Sequence, residues 1–250
     1  MNMKRIFTHF ALLAAAAFSF VSCKMDYDGS GLFYPNAIVT VKTAEDGTCF
    51  FQLTDEVAVR PVNITGKPFG GKEVRALVNI TEQGASSDSR FDKDVKVNSI
   101  DSVRTKAVVQ TLGPQEDAER YGEDPIEVID YWVTGLEDGY LTLSFCGLWS
   151  DLGKVHSIDL VAGTDPEDPD LYVLRHNAFD DRGSAEPYRL TGIIAFNLRD
   201  EAGEWPQTLT LKYASFSGEK AVEFGRQNQN VADGSVEAES LNAKTPIPVR

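Results

Sequence analysis

The chain has little of what reactive centres are usually built from. Its 250 residues include three cysteines and three histidines. None is spaced as C-x-x-C or H-E-x-x-H, and no cysteine–histidine cluster offers a structural zinc site. No G-x-S-x-G elbow presents an activated serine. Basic residues are also in deficit, with 24 Lys+Arg against 38 Asp+Glu and a net charge of −14. Phosphate contacts need a basic patch, so this balance excludes nucleic acid as the expected partner. It equally excludes a polybasic grip on anionic lipid. Beyond the N-terminus no apolar run approaches the ~20 residues of a membrane-spanning helix. Helix-period patterning is nearly absent, and nothing reads as a βαβ unit.

What is present begins with an address. Lys4 and Arg5 precede the apolar run Ala11-Leu-Leu-Ala-Ala-Ala-Ala-Phe-Ser-Phe20, and Phe20-Val21-Ser22 leads into Cys23. That is the layout of a bacterial secretory signal ending at a lipidated cysteine. Residues 1–22 are therefore expected to be removed, and Cys23 to hold the protein to a membrane. Removal takes two bases and no acid, so the negative charge deepens by two. Residues 23–35, with Lys24-Met-Asp-Tyr-Asp-Gly-Ser-Gly31, suit a flexible tether. Cys49 is in phase with Phe51 and Leu53 and is expected to face a core. Cys146 falls opposite Leu141, Leu143 and Phe145. The two are read as unpaired residues of two different domains, with a disulfide between them as the alternative that a secreted protein allows.

The remainder predicts an all-β protein. Ile38–Lys42, Cys49–Leu53, Val57–Ile64, Glu73–Ile80 and a long or broken strand from Val95 to Val109 are β-branched or alternate with period two. Glu45-Asp46-Gly47 marks a hairpin, and Pro61 confines its strand to an edge or bulge. Five such strands suit a small barrel over 36–113. Residues 114–124 carry five acids and one base and read as an acidic linker, with a short helix over Glu116–Tyr121 as the alternative within it. Seven further strands follow, at Ile126–Thr134, Tyr140–Phe145, Lys154–Val161, Leu171–His176, Leu190–Asn197, Thr208–Ala214 and Ala221–Phe224. Their spacing suits a seven-stranded β-sandwich over 125–225, with a hairpin turn at Glu137-Asp-Gly139. Residues 226–250 turn polar and are expected to be a disordered tail.

Candidate chemistry is sparse. His156 is in phase with Ile158 and Leu160 and points inward; His176 sits at a strand end in Leu174-Arg-His-Asn-Ala-Phe-Asp-Asp181. A His–Asp pair can exchange protons, but no nucleophile accompanies it. Thr164-Asp-Pro-Glu-Asp-Pro-Asp170 concentrates four carboxylates without the spacing of a calcium loop, and reads as solvated. Trp132 sits among strand residues and is expected to be core. Trp149 and Trp205 lie near turns and are the expected exposed pair, able to stack on a sugar or an apolar partner. No catalytic residue, metal or cofactor is assigned.

Several stretches taken together resemble one family. They are Pro35-Asn-Ala-Ile-Val-Thr-Val-Lys42, Gly66-Lys-Pro-Phe-Gly-Gly-Lys-Glu-Val-Arg-Ala76, Ile100-Asp-Ser-Val-Arg-Thr-Lys106 and Tyr121-Gly-Glu-Asp-Pro-Ile-Glu-Val128. Asp138-Gly-Tyr-Leu-Thr-Leu143, Arg175-His-Asn-Ala178 and Ala214-Ser-Phe-Ser-Gly-Glu-Lys220 complete the set. In this order they resemble the NigD-like lipoproteins of the Bacteroidales. The resemblance implies an N-terminal OB-like barrel, a C-terminal β-sandwich, and an outer-membrane lipoprotein on the periplasmic or the surface face. It brings no catalytic residues. The expected function is a non-enzymatic binding module whose ligand is a glycan or an envelope protein. Bacteriocin-associated immunity is the first alternative, and a hydrolase using His176 the second.

Overall fold

The computed structural model describes residues 37–181 and 183–226. Cys23, the tether and the tail from residue 227 lie outside the described residues.

Five strands form the first unit: β1 (Ala37–Thr43), β2 (Cys49–Gln52), β3 (Ala58–Pro61), β4 (Val74–Ala85) and β5 (Lys93–Ser102). They close in the order β1-β2-β3-β5-β4, with β3 and β5 parallel and the other pairs antiparallel. Alternation explains the interior. Val39, Val41, Cys49, Phe51, Val59, Ala76, Val78, Val95 and Val97 point into one apolar cluster. Pro61 ends β3, so its missing N–H costs the barrel no further ladder bond.

The second unit holds α1 (Pro114–Tyr121) and ten strands among the described residues. These are β6 (Arg104–Ala107), β7 (Val109–Gln110), β8 (Glu127–Ile129), β9 (Gly135–Glu137), β10 (Tyr140–Trp149), β11 (Ser157–Ala162), β12 (Leu171–Asn177), β13 (Tyr188–Asn197), β14 (Thr208–Ser215) and β15 (Gly218–Gly225). One sheet runs β6-β13-β10-β8, with β9 also paired to β10; the other runs β15-β14-β12-β11-β7. Leu141, Leu143, Phe145, Trp149, Ile158, Leu160, Leu174, Ile194, Phe196, Leu209, Leu211 and Tyr213 fill the space between them. The sandwich and its seven expected strands are all present, joined by the short β6, β7 and β9.

Two expectations along the chain change. The stretch after Ser102 leaves the barrel, since β6 pairs with β13 and β7 with β11, so the sandwich begins before residue 113. A continuous β-branched run carries no mark of where it changes partner. The acid-rich linker carries a helix, and it is longer than the short one over Glu116–Tyr121 that the sequence allowed, starting at Pro114. Pro114 opens it, Glu116 and Asp117 lie at its positive end, and Arg120 at its last turn. Asp117 is buried and accepts from the Leu112 N–H at 2.8 Å and from the Thr111 hydroxyl. The helix ends at Gly122, where φ is +83° and a Cβ would sit 2.4 Å from the His176 carbonyl oxygen. Arg226 is likewise fixed, its guanidinium bonded to the Trp205 and Pro206 carbonyl oxygens.

Barrel and sandwich meet on faces that alternation alone would leave to solvent. Ile38, Val103, Val133, Tyr140 and Ala195 form an apolar cluster across the junction, flanked by Leu77, Tyr131, Trp132 and Ile193.

Candidate functional site

Two polar constellations stand out inside the molecule. The first lies in the seam between the domains. Arg75, on the outward face of β4, is 1% exposed. Its guanidinium donates to the Thr40 hydroxyl at 3.0 Å and the Thr142 hydroxyl at 3.5 Å, and lies 3.5 Å from a Glu137 carboxylate oxygen. It also sits 5.6 Å from the Tyr140 ring centre. Desolvation pushes the Glu137 carboxyl up to about 7, against the pull of Arg75. Beside this pair runs a second ladder. Arg199 donates to Glu73 at 2.7 Å and to Asp138 at 3.0 Å, Tyr140 donates its hydroxyl to Glu73 at 2.6 Å, and Lys42 reaches Asp138 at 2.8 Å. Asp55 closes it by accepting from the Asp138 N–H at 2.7 Å. The turn Asp138-Gly139, with φ of +46° and +72°, places these groups against the barrel. A Cβ at Gly139 would meet the Arg199 side chain at 2.6 Å.

The second constellation lies at the far end of the sandwich. His176 comes from the end of β12, His156 from the residue before β11, and Asp181 from the β12–β13 connection. All three are at most 6% exposed. His176 Nδ1 is 3.2 Å from the Pro125 carbonyl oxygen, and its Nε2 is 3.0 Å from His156 Nδ1. His156 Nε2 is 3.1 Å from Asp181 Oδ2, which also accepts from the Ser150 and Asp151 N–H groups at 2.8 and 3.2 Å. Trp149 lies flat on His156, centres 4.2 Å apart and planes 11° apart. Burial, together with the neighbouring His156, pushes His176 down to about 4. Burial also lowers His156, with Asp181 opposing, while the two N–H donors and His156 hold Asp181 low despite its own burial. An open cavity of about 420 Å³ borders this end, lined by Arg120, Glu123, Asp124, Asn177, Phe179 and Asp180 among others.

Two family models match in tandem: the NigD-like N-terminal OB domain over residues 38–103, and the NigD-like C-terminal beta sandwich domain over 108–226. The chain belongs to the NigD-like family. A toxin-related protein from Parabacteroides distasonis is 30% identical, with 75% of this chain and 90% of that one covered at a TM-score of 0.58. A protein of unknown function from Bacteroides vulgatus is 17% identical, with 86% and 98% covered and a TM-score of 0.61. A NigD-like immunity protein from Bacteroides caccae is 20% identical, with 78% and 95% covered and a TM-score of 0.50. The last two share the fold with this NigD-like chain. None of the curated proteins compared matches it.

Trp149 is fully buried, not exposed, because the chain turns only after Ser150 and its ring closes the sandwich over His156. Trp205 is half-buried, with the Arg226 guanidinium 4.2 Å and that of Arg199 5.6 Å from its ring centre, so its face is taken. Trp132 packs in the seam. Cys49 and Cys146 are both buried and are not joined in a disulfide. His156, His176 and Asp181 do meet, a closeness for which separations of 20 and 25 residues give no sequence signal. Arg75, Glu137 and Arg199 carried no motif either; an arginine within the alternating run Val74–Val78 was the one available hint.

The histidines make native stability depend on pH in a stated direction. The unfolded His176 takes its proton near pH 6.5, while the native one resists to about 4. Its contribution is whole above 6.5 and is lost as pH falls toward 4, at ~1.4 kcal/mol per unit. Urea unfolding of the protein and of His176→Gln across pH 4–7.5 is expected to give a difference that shrinks on acidification. A constant difference would contradict it.

Proposed function

We propose that this NigD-like chain is a lipid-tethered, non-enzymatic binding protein of the bacterial outer membrane whose ligand is a protein. The observation that carries this reading is the seam. Buried Arg75 and the Glu73–Arg199–Asp138–Lys42 ladder tie barrel to sandwich, so a partner meets one preorganised surface and less ordering entropy opposes binding. Trp149 is buried and Trp205 carries the Arg226 and Arg199 guanidinium groups at its ring, which favours a protein over a glycan. His156, His176 and Asp181 lie buried and spend their polar contacts mainly on one another, an arrangement that builds structure rather than reaches a substrate. Cys23 supplies the anchor. Cross-linking the anchored protein in its host is expected to give a discrete protein adduct that Cys23→Ala loses along with membrane fractionation. Absence of any protein adduct, or unchanged fractionation of Cys23→Ala, would overturn the reading.

A narrower form of the same reading is immunity, favoured by the names of the B. caccae and P. distasonis relatives. The bound protein is then a toxin acting at the envelope. Deleting the gene should sensitise the host to its own bacteriocin, and unaltered sensitivity would remove this form while leaving the binding role.

A further inference from the structure

We propose that His176 and His156 form a proton-operated latch: one proton entering the pair joins the Pro125 segment to β12 and leaves the positive charge on His156, against Asp181. The argument is a count of hydrogens. Pro125 offers a carbonyl oxygen, which only accepts, and Asp181 an ionised carboxylate, which only accepts. Between them lie two imidazoles and three contacts of 3.2, 3.0 and 3.1 Å. Each contact needs one N–H. Two neutral imidazoles carry two. Neutral rings therefore fill only two of the three contacts, and the third sets a lone pair against an oxygen.

Which contact fails follows from charge and distance. The carboxylate takes the His156 Nε2 hydrogen, since a charge-assisted bond is the strongest on offer. Of the two remaining contacts the shorter, 3.0 Å against 3.2 Å, takes the other hydrogen, so His156 Nδ1 accepts from His176 Nε2–H. His176 Nδ1 is left bare, facing the Pro125 carbonyl. When a proton binds at His176 Nδ1, the hydrogen on its Nε2 passes to His156 Nδ1. His176 remains neutral as the other tautomer, and His156 becomes an imidazolium against Asp181. One proton enters, one shifts across 3.0 Å, and all three contacts are made.

The surroundings set the window. Asp181 from the β12–β13 connection and Asp124 from the segment after α1 favour the charge; Lys154 from the β10–β11 connection opposes it, and Trp149 of β10 brings none. Burial keeps the first proton below the ordinary histidine range. A second proton meets both burial and the charged His156, and is held off to about pH 4. The latch thus closes between those limits. It fastens the stretch Gly122–Pro125, whose Gly122, Glu123 and Asp124 form a wall of the cavity. The Asp124 N–H already bonds the His176 carbonyl oxygen at 2.9 Å, so ring and backbone hold the same segment. This inference does not depend on the binding role.

Imidazole 15N NMR of the whole chain from pH 8 to 4.5 tests it. Expected is one shared midpoint at which His176 changes from the Nε2–H to the Nδ1–H tautomer and His156 becomes doubly protonated. Amide exchange at Ile126 should slow several-fold over the same step. In Asp181→Asn the midpoint should move down by about one pH unit or more. A His176 tautomer constant through the range, or two rings titrating as independent histidines, would overturn the latch; the wild-type spectra decide this even if the variant fails to fold.

Discussion

Arg75→Ala is expected to lower stability by about 3–5 kcal/mol, the range for stripping one partner from a buried ion pair. The truncation leaves Glu137 in the seam with no guanidinium within reach, and the Thr40 and Thr142 hydroxyls without their shared donor. Unfolding should also divide into two transitions, because the remaining junction is a modest apolar cluster and a partly exposed ladder. The loss should grow with pH. Glu137 is already raised from 4.5 to about 7, so its effect on stability is absent below the lower value and increases as pH rises toward the upper one. Without Arg75 that rise extends to higher pH. Calorimetry at pH 6 and pH 8.5 reads both effects. The double variant Arg75→Met, Glu137→Leu should recover much of the loss, since apolar replacement of a buried pair is often neutral. A single transition at unchanged temperature would show that the seam does not depend on this residue.

Trp149→Ala is expected to cost about 3–5 kcal/mol as well, through lost burial and the cavity left behind. Trp149 is 0% exposed and belongs to the main core cluster. Its ring also governs two neighbours. Gly147 lies so close that a Cβ there would come within 2.6 Å of Trp149 Cζ3, so Gly147→Ala should destabilise too, by about 1–3 kcal/mol from overpacking. His156 is covered by the indole face. Removing that cover admits water, weakens the desolvation that holds both histidines down, and should move their titration up toward 6.5. Urea unfolding gives the stability change and NMR titration the second. A Trp149→Ala protein with unmoved histidines would show that the stack contributes packing alone.

The two variants mark the limit of what a linear reading can find. Val39, Val41, Phe51, Ala76 and Val78 were legible as an interior because every second residue is apolar. The same alternation turns Thr40 and Arg75 to the opposite face, which a lone barrel would leave in solvent. Both are buried because β1 and β4 are covered twice, by the barrel core and by the sandwich. β10 repeats the case. Leu141, Leu143 and Phe145 face the core as expected, yet Tyr140, Thr142, Ser144 and Cys146 are buried as well. Trp149 was read as exposed because it neighbours Ser150, a turn residue; the strand expected to end at Phe145 runs four pairings further, to Trp149 opposite Tyr188, and carries the ring inside.

By itself the sequence determined the all-β class, the barrel-then-sandwich order, the hairpin at Glu137–Gly139 and the family, and it predicts the lipid address at Cys23. These rest on local periodicity, turn chemistry and ordered short matches, each contained within a few neighbouring residues. Only the tertiary structure decided that Arg75 would meet Glu137, that Glu73 and Asp138 would share Arg199, and that two histidines and an aspartate would form one chain from Pro125 to Asp181. Those contacts join residues 20 to 126 positions apart. Their geometry exists only after two sheets and two domains have closed on one another, and burial then gives ordinary side chains the charge and proton properties that set them apart.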